Sequence, residues 1–142
     1  MHKSLLNNFP LFCECVEALE PELLKWEESY KILDIFKKMY PIAFWGKVDW
    51  EKVENKIEVG YDEREIMPAF YRLLGSGANV IVYILWNDAS YPIIKTTLEK
   101  IIPCYEDVVS VSFETFIFNP ETGFILEIVN SGLITMGVIA KT

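Results

Sequence analysis

NVIVYILW, residues 79–86, opens a block that continues through YPIIKTTLEKII (91–102) and closes with three β-like runs, VVSVSFETFIF (108–118), GFILEIV (123–129) and LITMGVIA (133–140). The first run is apolar almost throughout, which fits a strand buried on both faces and lying inside a sheet, away from its edge. NDASYP breaks that pattern with a polar turn, after which Pro92 suits the first turn of a helix. Ile93, Ile94, Thr97, Leu98, Ile101 and Ile102 supply the apolar face of that helix, and Pro103 stops it. NPETG and NSG are loops short enough to force antiparallel hairpins between the later runs. In the strand after Asp107, Val109, Val111, Phe113, Thr115 and Ile117 share one face, and Ser110, Ser112, Glu114, Phe116 and Phe118 the other. The first of these faces reads as core. The second is polar at its start and aromatic at its end, so one face of the sheet is expected under helices and the other partly open.

Working outward, the N-terminal half reads as mainly helical. Asn8 offers an N-cap and Pro10 a first-turn proline to a helix whose Leu11, Phe12, Cys15, Val16, Leu19 and Leu23 fall at helical spacing, with Pro21 ending or restarting it. A second helix is expected from a Ser29 cap, with Ile32, Leu33, Ile35, Phe36 and Met39 as its stripe and Pro41 closing it at Tyr40. The two form a helical hairpin with one apolar side, for which the sheet is the floor. IAFWGKVDW gathers Phe44, Trp45 and Trp50 around Gly46. DWEKVENK then starts a short helix at Asp49, and KIEVGYDE alternates like a brief strand. MPAFYRLLG reads as a two-turn helix ended by Gly75. The expected fold class is α+β: N-terminal helices packed on a mainly antiparallel sheet, with C-terminal order β-α-β-β-β. A single domain over 1–142 is expected, divided into a mainly helical part (1–75) and the β-α-β-β-β part (76–142).

Bulk properties narrow the function. A chain of 142 residues that is 51% hydrophobic can close a core without disulfide or metal staples. Cys13, Cys15 and Cys104 make an odd count. Cys13 and Cys15 point about 200° apart on a helix and cannot converge on one ion. All three read as free thiols of a reducing compartment. With one histidine, at position 2, a zinc centre has no ligand set. No metal or cofactor is expected, and no signal peptide or spanning segment is read, so a cytoplasmic location follows as the default.

Thirteen basic against 21 acidic residues give a net charge of −8. Phosphate backbones and anionic lipid surfaces repel such a chain, which excludes nucleic acid and membranes as direct partners. Residues 61–142 are the more one-sided part, holding 5 basic and 10 acidic residues. GSGAN (75–79) is not a phosphate loop, because no strand precedes it and no GK[ST] completes it. Nucleophile elbows, HExxH and paired CxxC motifs are absent, so an enzyme is not expected. Glu114 and Glu127 fall on the less apolar alternation of their strands. They are the candidates for a carboxylate pair, either catalytic or part of a docking surface. Phe44, Trp45, Trp50 and Trp86 are the corresponding candidates for an aromatic groove that takes a small molecule or peptide.

The run ILWNDASYPIIKTTLEKIIPCYEDVVSVSFETFIFNPETGFILEIVNSGLITMGVI, in a small acidic chain without a catalytic set, resembles the immunity proteins of bacterial contact-dependent growth inhibition and related polymorphic toxin systems. The resemblance covers residues 79–140. It implies a chain that binds the C-terminal toxin domain delivered by a neighbouring cell and neutralises it, commonly by covering a nuclease active site. It brings no shared catalytic residues. Toxin nucleases are basic because they bind phosphate, so an acidic inhibitor mimics the charge of the substrate and steers association. The candidate toxin-binding residues are Asp62, Glu63, Glu65, Asp88, Glu106, Asp107, Glu114, Glu121 and Glu127.

Overall fold

The computed structural model describes residues 9–43, 46–75 and 80–139. Helix α1 (Pro10–Leu19) carries proline in its first turn, where a missing N–H costs nothing, and turns Phe12, Cys15 and Leu19 inward. It stops ahead of Pro21, with Glu20 in left-handed backbone and its N–H donating to the Val16 carbonyl. The expected cap, Asn8, lies outside the described residues. A two-residue strand, β1 (Glu22–Leu23), leads to α2 (Trp26–Met39). This helix begins a turn earlier than Ser29 suggested. Glu27 and Glu28 sit in its first turn and Lys37 and Lys38 in its last, each matching the helix dipole. Ser29 is instead a buried residue of the helix, and its Oγ accepts the Ile93 N–H at 3.1 Å.

A 3-10 turn (Trp50–Lys52) follows Asp49, then strand β2 (Asn55–Gly60) and helix α3 (Ile66–Leu74), which ends at Gly75 with φ 69°. Strand β3 is Ile81–Trp86. The segment expected as one helix divides: Ile94–Thr97 is strand β4, Leu98–Ile101 is a short helix α4, and after a 3-10 turn Tyr105–Val109 is α5. Four β-branched residues among Ile93–Thr97 explain the strand, since they fit a pleated, half-buried surface better than a helix. The next strand is correspondingly shorter than expected. β5 spans Thr115–Asn119 only, because Glu106 and Asp107 start a helical turn that Ser110 closes on the Glu106 carbonyl. β6 (Phe124–Ile128) and β7 (Ile134–Val138) complete the set.

The fold is α+β. Its strands make one seven-stranded sheet in the order β1-β4-β3-β5-β6-β7-β2, and every neighbouring pair is antiparallel. The β5-β6-β7 meander forms through the two short loops, as expected. At the first of these, Asn119 Oδ1 accepts the Glu121 and Thr122 N–H groups at 2.8 and 3.0 Å. Gly123 then turns the chain at φ +81°, where a β-carbon would stand 2.1 Å from the Ile139 carbonyl oxygen. β3 is interior, between β4 and β5, and is joined to β4 by a hairpin.

Both faces of the sheet are covered, which corrects the expectation of a partly open one. On the first face Val82, Ile84, Trp86, Ile117, Leu126 and Met136 meet α1, α3, α4 and α5. On the second, Phe116, Phe118 and Ile125 meet Phe36 and Tyr40 at the end of α2, together with Val48 and Val53. α1 and α2 therefore lie on opposite faces and do not form a hairpin on one. Short β1 carries the chain past the sheet edge between them. Tyr40, whose hydroxyl donates to the Phe124 carbonyl at 2.7 Å, fixes the end of α2 to β6.

Candidate functional site

Antiparallel register sorts the candidate carboxylates between the two ends of the sheet. Trp86 pairs with Thr115, Thr115 with Ile128, Ile128 with Ile134 and Ile134 with Gly60. One end therefore gathers the segments after β3, before β5, between β6 and β7, and after β2. Asp88, Glu114 and the Asp62–Glu65 cluster all stand at this end. Glu121, on the β5–β6 hairpin, is exposed at the opposite end.

Asp62 accepts the Arg64 backbone N–H at 2.9 Å and pairs with its guanidinium at 2.9 Å. Arg64 thereby holds the Asp62 carboxyl below the usual range. Among the described residues, Glu63 and Glu65 have no such ion pair. Asp88 is exposed and accepts the Ser90 N–H at 2.8 Å, a side-chain turn that shapes its loop. Glu114 is half-buried, and its backbone carbonyl accepts the Asn87 N–H at 3.2 Å, which ties the two segments together.

Glu106 is exposed on the first turn of α5, and its neighbour Asp107 is half-buried. The charge of Asp107 acts on Cys15 and Cys104, whereas that of Glu106, with Glu63, acts on Tyr105. Burial first, and those two carboxylates second, push the Tyr105 hydroxyl up, so it stays protonated. Tyr105 is 6% exposed, and among the described residues its hydroxyl has no hydrogen-bond partner. Tyr105 and Glu106 line a depression of about 170 Å³, together with Tyr61, Ser112, Phe113 and Asn130. Two of these are exposed aromatics, Phe113 at 76% and Tyr61 at 68%. None of the three aromatics at this end was expected to function. Phe113 read as the core face of a long strand, and only the shortening of β5 turns it to solvent. Tyr61 directly follows the φ +103° glycine that ends β2, which is the local signal for an outward turn.

Glu127 departs from expectation most clearly. It is 4% exposed on β6, with Val48 N–H donating to its Oε2 at 2.7 Å and the Trp50 indole N–H to its Oε1 at 2.8 Å. Both oxygens are used inside the second cluster. Glu127 thus takes no part in a docking surface of the free chain, and no hydrogen bond joins it to Glu114 among the described residues. The aromatic groove set does not converge either. Trp50 packs on the second face, whereas Trp86 lies in the first cluster with its indole N–H donating to the Val108 carbonyl at 3.0 Å. Phe44 and Trp45 lie outside the described residues. A separate apolar depression of about 340 Å³ opens between α2 and β3, lined by Trp26, Tyr30, Leu33 and Phe36 among others.

Among the described residues no group of three or more histidine, cysteine or acidic side chains is placed to hold a metal, and no helix is long and apolar enough to cross a membrane. Of the curated proteins compared, none matches the chain. A model for the family described as CdiI immunity protein EcoliA0-like matches residues 9–137, from the residue before α1 into β7, and the chain belongs to this family of immunity proteins of contact-dependent growth inhibition.

Proposed function

We propose that this immunity protein neutralises the C-terminal domain of its cognate toxin by docking the acidic end of its sheet onto a basic surface of that domain, which is a nuclease. The observation that carries the reading is the company the carboxylates keep. Glu63, Glu65, Asp88, Glu106 and Glu114 share one end of the sheet with Tyr61 and Phe113, the two most exposed large hydrophobic side chains of the described residues. Exposed aromatics inside a charged rim are the composition of an interface anchor, with the rim supplying steering and specificity. The chain acts by covering its partner, without catalysis of its own, in the cytoplasm of the cell it protects.

Titration of the purified toxin domain with charge-reversed variants tests this. Glu63→Lys, Glu65→Lys and Glu106→Lys are each expected to weaken binding about tenfold or more, since like charges opposed across an interface cost several kcal/mol. Glu121→Lys, at the far end, is expected to leave affinity unchanged. Equal affinity for all four variants, or a loss confined to Glu121→Lys, would place the interface elsewhere. Loss of nuclease activity on adding the wild-type chain at 1:1, measured on a nucleic-acid substrate, checks the class of toxin.

A further inference from the structure

We infer that the free edge of the sheet at β2 is a docking surface for a second copy of this chain, the two β2 strands pairing antiparallel about a two-fold axis at Ile57. β2 closes the sheet on one side. Its neighbour is β7, and among the described residues no backbone group of Asn55–Gly60 bonds to anything beyond that pairing. At six residues it presents a row of unpaired N–H and C=O groups, unlike the two-residue β1 at the opposite edge. From Asn55 to Glu58 its register with β7 runs without interruption, and the bulge falls only between Glu58 and Gly60.

The side chains along this edge select the strand that fits it. Asn55, Lys56 and Glu58 are exposed, whereas Ile57 and Val59 lean on the first cluster and are half-buried. Alternation therefore puts Lys56 and Glu58 together on the other face. With Ile57 on the axis, Lys56 of each copy stands opposite Glu58 of the other, and Ile57 meets Ile57. The neighbouring symmetric registers fail. Centred on Lys56, pairing opposes Lys56 to Lys56 and Glu54 to Glu58; centred on Glu58, it opposes Glu58 to itself. Among the described residues Glu58 has no ion pair, and the Lys56 ammonium spends one of its three donors on the Trp50 carbonyl. A lysine on an edge strand keeps apolar strands away, but here the same sequence run backwards supplies its counter-charge. The contact is self-complementary, so it closes after two copies and leaves no growing end. Strand direction reverses across the axis, and the acidic ends of the two copies point away from each other, both open to toxin.

Sedimentation equilibrium of the full chain over a range of concentrations tests this. The wild type is expected to be a reversible monomer–dimer system. Glu58→Lys and Lys56→Glu are each expected to weaken the dimer about tenfold, since each replaces two attractive cross-strand pairs by two repulsive ones. An equimolar mixture of the two variants puts opposite charges back across the axis and is expected to recover the dimer, as a heterodimer. Loss of fold or a change in net charge could not produce that recovery. The double exchange Lys56→Glu with Glu58→Lys is expected to dimerise with itself, although it lacks the Lys56 bond to Trp50. A wild-type chain that is monomeric at every concentration, a dimer indifferent to both single variants, or a mixture that stays monomeric would overturn the proposal.

Discussion

Glu127 shows how one carboxylate can belong to the architecture of an acidic protein and not to its surface. Several backbone N–H groups between Ala43 and Val53 are paired locally, those of Ala43, Gly46, Asp49, Lys52 and Val53 among them, whereas the Val48 N–H finds its partner in a side chain of the sheet. Glu127 provides two acceptors at once, to Val48 and to Trp50, and so fastens this segment over Phe116 and Ile125. Among the described residues no cation comes within ion-pair distance of it. Glu127→Ala leaves both donors unpaired. It is expected to lower the unfolding free energy by about 2–6 kcal/mol, at about 1–3 kcal/mol for each buried group stranded. Glu127→Gln, which keeps one acceptor, should cost less. Urea denaturation followed by tryptophan fluorescence measures both, and toxin affinity of the folded protein should be unaltered. A variant that binds weakly at full stability would return Glu127 to the interface.

At the level of elements, β7 and the 3-10 turn after Asp49 interlock through Gly137. A β-carbon there would lie 2.8 Å from Trp50 Cζ3 and 3.0 Å from both the Asn55 carbonyl oxygen and Val53 Cγ1. Gly137→Ala is therefore expected to destabilise by about 1–3 kcal/mol, the usual cost of overpacking, and to disturb the Trp50 bond to Glu127. A blue or red shift in native tryptophan emission alongside a lower urea midpoint would register both effects; an unmoved midpoint would mean that the turn lifts freely. The meander into which Gly137 is built was legible in sequence, because NPETG and NSG permit little but hairpins. β4 was not, because Ile93, Ile94, Thr97, Leu98, Ile101 and Ile102 satisfy helical spacing while Ile94 and Thr96 also satisfy strand alternation. Only pairing with β3 on one side and β1 on the other decides between them. Val108–Phe113 failed for the mirror reason, its Val-Ser alternation imitating a strand where α5 and a turn are formed.

Across the whole molecule, the carboxylates of the candidate site could be named from sequence, but their grouping could not. Glu63, Glu106 and Phe113 converge only because β2 returns to pair with β7 and α5 lies against α1, contacts between segments up to about a hundred residues apart. The same closure buries titratable groups whose charged forms the fold rejects. Burial raises the Cys15 thiol from 9.0 to about 12, with Cys104 and Asp107 adding to it, and also raises the Tyr40 and Tyr105 hydroxyls. In each case the folded chain holds its proton more tightly than the unfolded chain does. The stability linked to Cys15 is therefore complete below about pH 9 and lost as pH climbs towards about 12, with the two tyrosines extending the loss above their ordinary value of 10.0. The urea midpoint is expected to stay level from neutral pH to about 9 and then fall continuously. The unfolding free energy falls with it, because each tenfold difference in proton affinity between the folded and unfolded chain is worth about 1.4 kcal/mol. Alkylation at pH 8 should leave Cys15 unmodified until the chain is unfolded. A midpoint still level at pH 11, or native labelling of Cys15, would show that α1 opens readily and that the first cluster is not the closed layer its packing describes.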